Sequence, residues 1–194
     1  MNSVRTARVE DAAAIAAMHT QRIGDGFLAT LGPRFLQRLY ARMVHSPHAF
    51  VLVADDGTGV LGFVAVAEST SGLYREFIRY DGIRAVRAAL PALARAPRRV
   101  WETFRYGTER ADDLPRAEVL AVAVGAAMQH RGVGSALLRA ALAELHCRGV
   151  DGARVVTAMG NDAALRLYER AGFRRHSRTQ IHSGVTQQVL VWRS

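Results

Sequence analysis

Hydrophobic and polar positions change period several times along the chain, and each change marks an element. Residues 3–7 predict a short strand. The stretch "EDAAAIAAMHTQ" (10–21) reads as a helix, with its acids in the first turn, where they suit the positive end of the helix dipole. "RIGDGFLATLGP" (22–33) is a glycine-punctuated loop, and Pro33 opens a second helix at the position proline prefers. Phe35, Leu36, Leu39, Tyr40 and Met43 form the apolar stripe of that helix. "HAFVLVA" and "VLGFVAVA" are strands joined by "DDGTG", a hairpin signal.

Residues 69–116 break this rhythm. Leu73, Phe77 and Ile78, then Ile83, Val86, Leu90 and Leu93, recur at helical spacing, while Pro91 and Pro97 predict interruptions. The segment reads as a helical insertion between the third and fourth strands. "AEVLAVAV" (117–124) follows as a strand apolar enough to be buried on both faces. A helix then runs through His146 and stops at Gly149, "ARVVTA" is another strand, and Asn161 caps a helix to Ala171 that Gly172 ends. Two last strands, near 173–182 and 185–192, meet at Ser183-Gly184. The order predicts an α/β fold over residues 1–194 as one domain. Its centre is a mixed, mostly antiparallel sheet of about seven strands flanked by helices.

Composition narrows the classes. A hydrophobic content of 49% argues against disorder, and no apolar run approaches the length of a membrane span. The N-terminal stretch lacks the apolar core and cleavage site of a signal peptide, and a single cysteine, Cys147, fits a reducing cytoplasm. The net charge of +9 raises nucleic acid as a partner. All 26 basic residues are arginine, however, and they are spread along the chain, the mark of a coding bias rather than of a phosphate-binding surface. A small polyanionic ligand remains compatible with that charge. Nucleic acid and membrane are not the expected partners.

Candidate chemistry concentrates in "MQHRGVGSALL" (128–138), where two glycines precede a helical pattern. A P-loop would need lysine and Ser/Thr after the second glycine, and none follows. A dinucleotide fingerprint would need a third glycine where Leu137 stands. A plain helix start remains as the bland alternative. Yet a strand ends at Val124, five residues before Gln129, so backbone N–H groups converge at the positive end of the helix after it. His45 and His48 straddle a helix end without a carboxylate cluster, so no metal site is expected. Cys147, late in its helix, reads as a buried or half-buried small hydrophobe.

Gln129-x-x-Gly132-x-Gly134 after a strand resembles the acyl-CoA loop of the GNAT superfamily of N-acetyltransferases. A second block, Asn161-x-x-Ala164-x-x-x-Tyr168 followed by Ala171-Gly172-Phe173, resembles the family's second cofactor-side helix. Ala126 replaces a proline often found there, and the insertion is longer than in simple members. The resemblance implies acetyl-CoA as co-substrate, without a metal. Val122 and Val124 would meet the pantetheine arm, with the Val124 N–H on the thioester carbonyl. Gln129, His130, Arg131, Gly132, Val133, Gly134 and Ser135 would hold the pyrophosphate. Asn161 would face the cofactor arm as well as cap its helix, and Tyr168 would protonate the departing thiolate, a core tyrosine being the alternative.

The acceptor amine must lose a proton before it can attack. Glu118 begins the fourth strand, and period-two alternation puts it on the face of Val122 and Val124. It also lies eleven residues before Gln129, as the base does in some members of the family. A solvent-facing glutamate is the alternative. The loop 22–33 and the insertion are the expected borders of the acceptor site, with the insertion acting as a wall, a dimer contact or a membrane-surface helix. The expected activity is transfer of acetyl to a small-molecule or peptide primary amine by direct attack in a ternary complex, by a monomer or homodimer. A non-catalytic acyl-CoA sensor, or use of another short acyl-CoA, stays open.

Overall fold

The computed structural model describes residues 3–23, 28, 31–95, 113–180 and 186–194. Seven strands form one sheet: β1 (Ser3–Thr6), β2 (Ala49–Asp55), β3 (Val60–Ala67), β4 (Ala117–Val124), β5 (Gly152–Ala158), β6 (Arg174–Gln180) and β7 (Thr186–Arg193). Their spatial order is β1-β2-β3-β4-β5-β7-β6, and every neighbouring pair is antiparallel except β4 with β5. Helices α1 (Ala12–Arg22), α2 (Pro33–His45), α3 (Thr70–Arg95), α4 (Val133–Cys147) and α5 (Asp162–Arg170) fill the connections.

The helices divide between the two faces of the sheet. On one face α1, α2 and the first turns of α3 bury Ile15, Leu36, Leu39, Met43, Leu73 and Phe77 against Val51, Val53, Phe63 and Ala65. On the other, α4 and α5 bury Leu137, Leu138, Leu145 and Leu165 against Leu52, Val64, Val66, Val155 and Leu190. The alternation within β2 and β3 feeds both cores at once, because successive side chains leave a strand on opposite sides. The expected stripe of α2 is the buried one. Arg42 of α2 donates to Asp81 of α3 at 2.7 Å and Ser46 to Glu76, so polar contacts fix α3 on α2 beside the edge-on contact of Phe35 with Phe77.

Three expectations change. The helix expected to break at Pro91 continues to Arg95, while Pro97 lies outside the described residues; Ile78, assigned to its apolar stripe, is 59% exposed. Cys147 is exposed, since it falls two residues past Leu145, where the buried stripe ends, near the solvated end of α4. The strand read as buried on both faces instead alternates buried with half-buried residues from Ala117 to Val124. Ser183-Gly184, the expected last turn, lies outside the described residues.

Candidate active site

Two irregularities of the sheet build the site. The first is a bulge in β4. Ala65 of β3 pairs with Ala121, but Val66 pairs with Val119, so Leu120 is one residue too many. Side chains change faces across it: Ala117 and Val119 join the α4–α5 core, while Ala121 and Ala123 join the α1–α2 core. The placement of Glu118 with Val122 and Val124 is therefore corrected. Val122 and Val124 pack toward α4 and α5, whereas Glu118, offset by the extra residue, faces the side of α1, α2 and α3.

The second irregularity is a separation of β4 from β5. Their ladder pairs Ala117 with Ala153, Glu118 with Arg154 and Val119 with Val155, and ends there, although β4 continues to Val124 and β5 to Ala158. The Gly125 N–H donates to the Leu61 carbonyl at 2.8 Å, which makes Val124 and Gly62 a non-hydrogen-bonded antiparallel pair. The N–H and C=O of Val124, and by alternation those of Val122, thus point away from β3, toward the side where the ladder to β5 has ended. Backbone polar groups in that setting need a partner, and an extended ligand backbone could supply one.

The glycine loop ends at the same place. Gly132 caps α4 with φ +79°, in the left-handed region that favours glycine, and the first helical hydrogen bond is Ala136 N–H to the Gly132 carbonyl at 2.9 Å. The N–H groups of Val133, Gly134 and Ser135 precede that bond and have no partner among the described residues. Gln129, His130 and Arg131 form the exposed approach, His130 at φ +59°. A Cβ added to Gly134 would lie 3.6 Å from Val124 Cγ2 and 3.6 Å from Leu167 Cδ2. The end of β4, the start of α4 and helix α5 therefore meet at Gly134. This is a neutral, positively polarised amide cradle that fits a pyrophosphate.

Helix α5 brings the second block. Asn161 Oδ1 accepts from the Ala164 N–H at 3.1 Å, so its capping role is present. Tyr168, 6% exposed, packs edge-on against Phe173 with ring centroids 5.7 Å apart. Burial raises its hydroxyl well above the usual 10, so it stays protonated at neutral pH. That hydroxyl has no hydrogen-bond partner among the described residues.

Three features were not read from the sequence. Arg154 donates to Glu118 Oε2 from both Nε (3.0 Å) and Nη2 (2.8 Å). Tyr74 of α3 is pushed up to about 12, chiefly by burial and then by the Glu118 charge. His19 of α1, 2% exposed, shares a 2.6 Å hydrogen bond with Tyr40 of α2 and stacks on Phe63, leaving its Nε2 without a partner. Residue order holds a signal for none of them, since each depends on register or packing between distant elements.

His45 is exposed, and His48 is half-buried against Gly72. Among the described residues no helix is long and apolar enough to cross a membrane.

The profile of the Acetyltransferase (GNAT) family matches residues 20–173, and the chain belongs to that family. A mycothiol acetyltransferase of Thermobispora bispora is 40% identical over 75 residues, which are 39% of this chain and 25% of that protein. The match thus spans about a quarter of that relative's length. The fold is similar to the ribosomal-protein-S18-alanine N-acetyltransferase of Escherichia coli, with a TM-score of 0.63, 15% identity and coverage of 100% of this chain and 94% of the other. It is also similar to a chain of the NatC complex bound to Gag peptide and CoA, with a TM-score of 0.62, 14% identity and coverage of 100% and 98%. The family uses acetyl-CoA as its acyl donor.

Proposed function

We propose that the chain, acting as one domain, transfers an acetyl group from acetyl-CoA to a primary amine by direct attack in a ternary complex. The observation that carries this reading is the meeting, at Gly134, of the α4 amide cradle with the strand end whose Val122 and Val124 amides face the parted ladder.

Acetyl-CoA supplies an acetyl group activated as a thioester. The amides of Val133, Gly134 and Ser135, with the Gln129–Gly132 approach, hold its pyrophosphate, and Val122 and Val124 hold the extended arm by backbone hydrogen bonds. The Val124 N–H donates to the carbonyl oxygen as negative charge develops there. Glu118, on the opposite face of the sheet, takes the proton of the acceptor ammonium directly or through water. Donor and acceptor thus approach from opposite faces and meet where β4 and β5 part, which suits direct attack. Tyr168 gives its proton to the departing sulfur. Helix α3 borders the acceptor side, while residues 24–27, 29 and 30 of the loop expected to join it lie outside the described residues; the single cysteine fits work in the cytoplasm.

The test is thiol release from acetyl-CoA with a panel of amino acids, polyamines, amino sugars and short peptides, with a mass gain of one acetyl group on the product. Amine-dependent release supports the reading. Binding of acetyl-CoA without amine-dependent release would make the chain a sensor, and faster release from propionyl-CoA would change the donor.

A further inference from the structure

Glu118 and Arg154 face each other across the parallel ladder one rung before it ends. Both guanidinium contacts fall on one oxygen, Oε2, so Oε1 is left without a partner among the described residues. The side chains are 19% and 22% exposed, partly shielded yet open to a ligand. An ion pair of this exposure contributes little to stability. Its geometric effect is larger, because two donors anchor Oε2 and so restrict the range of positions open to the other oxygen. Alternation from Ala117 and Val119 puts Glu118 on the face that carries α1, α2 and the first turns of α3, and its charge reaches Tyr74 of α3.

We propose that Arg154 is a positioning residue for acetyl transfer: it holds Glu118 by Oε2 so that Oε1 faces the acceptor ammonium. The inference rests on the acetyltransferase reading above. In the step it serves, an ammonium N–H bond breaks and an O–H bond forms at Oε1. The nitrogen keeps the electron pair with which it attacks, and the carboxylic acid then passes its proton to solvent. Arg154 touches neither substrate.

The experiment uses the panel amine that gives the fastest thiol release and compares wild type with R154M, R154K, E118Q and the double variant R154M/E118Q. The expected result is a fall in kcat/KM for the amine of about tenfold or more in R154M. R154K recovers part of this, while the acetyl-CoA Kd and the melting temperature stay near wild type. The double variant turns over no more slowly than E118Q alone, because Arg154 acts through Glu118. Three results overturn the proposal: R154M costing the same factor in the E118Q background, R154M as active as wild type, or acetyl-CoA affinity falling in step with activity. If E118Q turns over at the wild-type rate, this inference fails while the acetyltransferase reading stands. If wild type releases no thiol with any amine, the parent reading itself fails.

Discussion

At the scale of single residues, Tyr168 has a structural role and, in the proposed function, a chemical one. Its ring fills the gap between α5 and Phe173, and its hydroxyl is kept protonated by burial. A thiol with a pKa near 8.5 leaves readily as thiolate, so an acid assists its departure without governing it. Tyr168→Phe is therefore expected to lower kcat by about a hundredfold or less, at or below the bottom of the range for general acids. Steady-state kinetics beside a calorimetric acetyl-CoA titration check this: affinity should hold while turnover drops. An unchanged turnover would return Tyr168 to the core alone.

At the scale of elements, two helix starts and one bulge govern the geometry. Gly132 holds φ +79° with open space around its absent Cβ, so conformation, not crowding, requires glycine there. Gly132→Ala is expected to cost about 1–2 kcal/mol from the left-handed backbone alone. It should also weaken acetyl-CoA binding, because the cradle amides turn with it. Thermal melts and a binding isotherm read the two effects separately. Asn161→Ala removes the cap of α5 and should cost about 1 kcal/mol. If its role stops at the cap, acetyl-CoA affinity will not move. The bulge at Leu120 sets the face that each half of β4 presents, placing Glu118 with α1, α2 and α3 and Val122 and Val124 with α4 and α5.

At the scale of the whole molecule, the α1–α2 face holds a buried imidazole, and acid should act on it first. Burial pulls His19 from its ordinary 6.5 to about 4, with Tyr40 beside it also kept neutral by burial. A histidine lowered in the folded state binds fewer protons there than in the unfolded chain. Its contribution is therefore complete above about pH 6.5 and is lost as the pH falls toward 4. Asp11 is held below its ordinary 3.8, chiefly by the Arg5 side chain, and Asp55 chiefly by the Gly57 N–H and Arg5. Their share is lost in a lower window, as the pH drops through and below 3.8. Melting temperature should decline between pH 6.5 and 4 in wild type and decline less in His19→Leu. Parallel curves for the two proteins would count against the assignment.

The order of elements, the seven strands, the apolar stripe of α2, the Asn161 cap and the glycine loop were legible in the sequence. Each rests on short-range periodicity or on the backbone needs of a few neighbouring residues. Residue order is silent on pairings set by distant segments. Alternation alone put Glu118 on the wrong face, because a single extra residue at Leu120 reverses every side chain before it. The Arg154 partner, the approach of Tyr74 and the His19–Tyr40 pair needed β4 laid against β5 and α1 laid against α2. Local patterns thus determined which elements form and where an anion can sit. Strand register and helix packing, which bring residues tens of positions apart into contact, decided on which face of the sheet Glu118 stands.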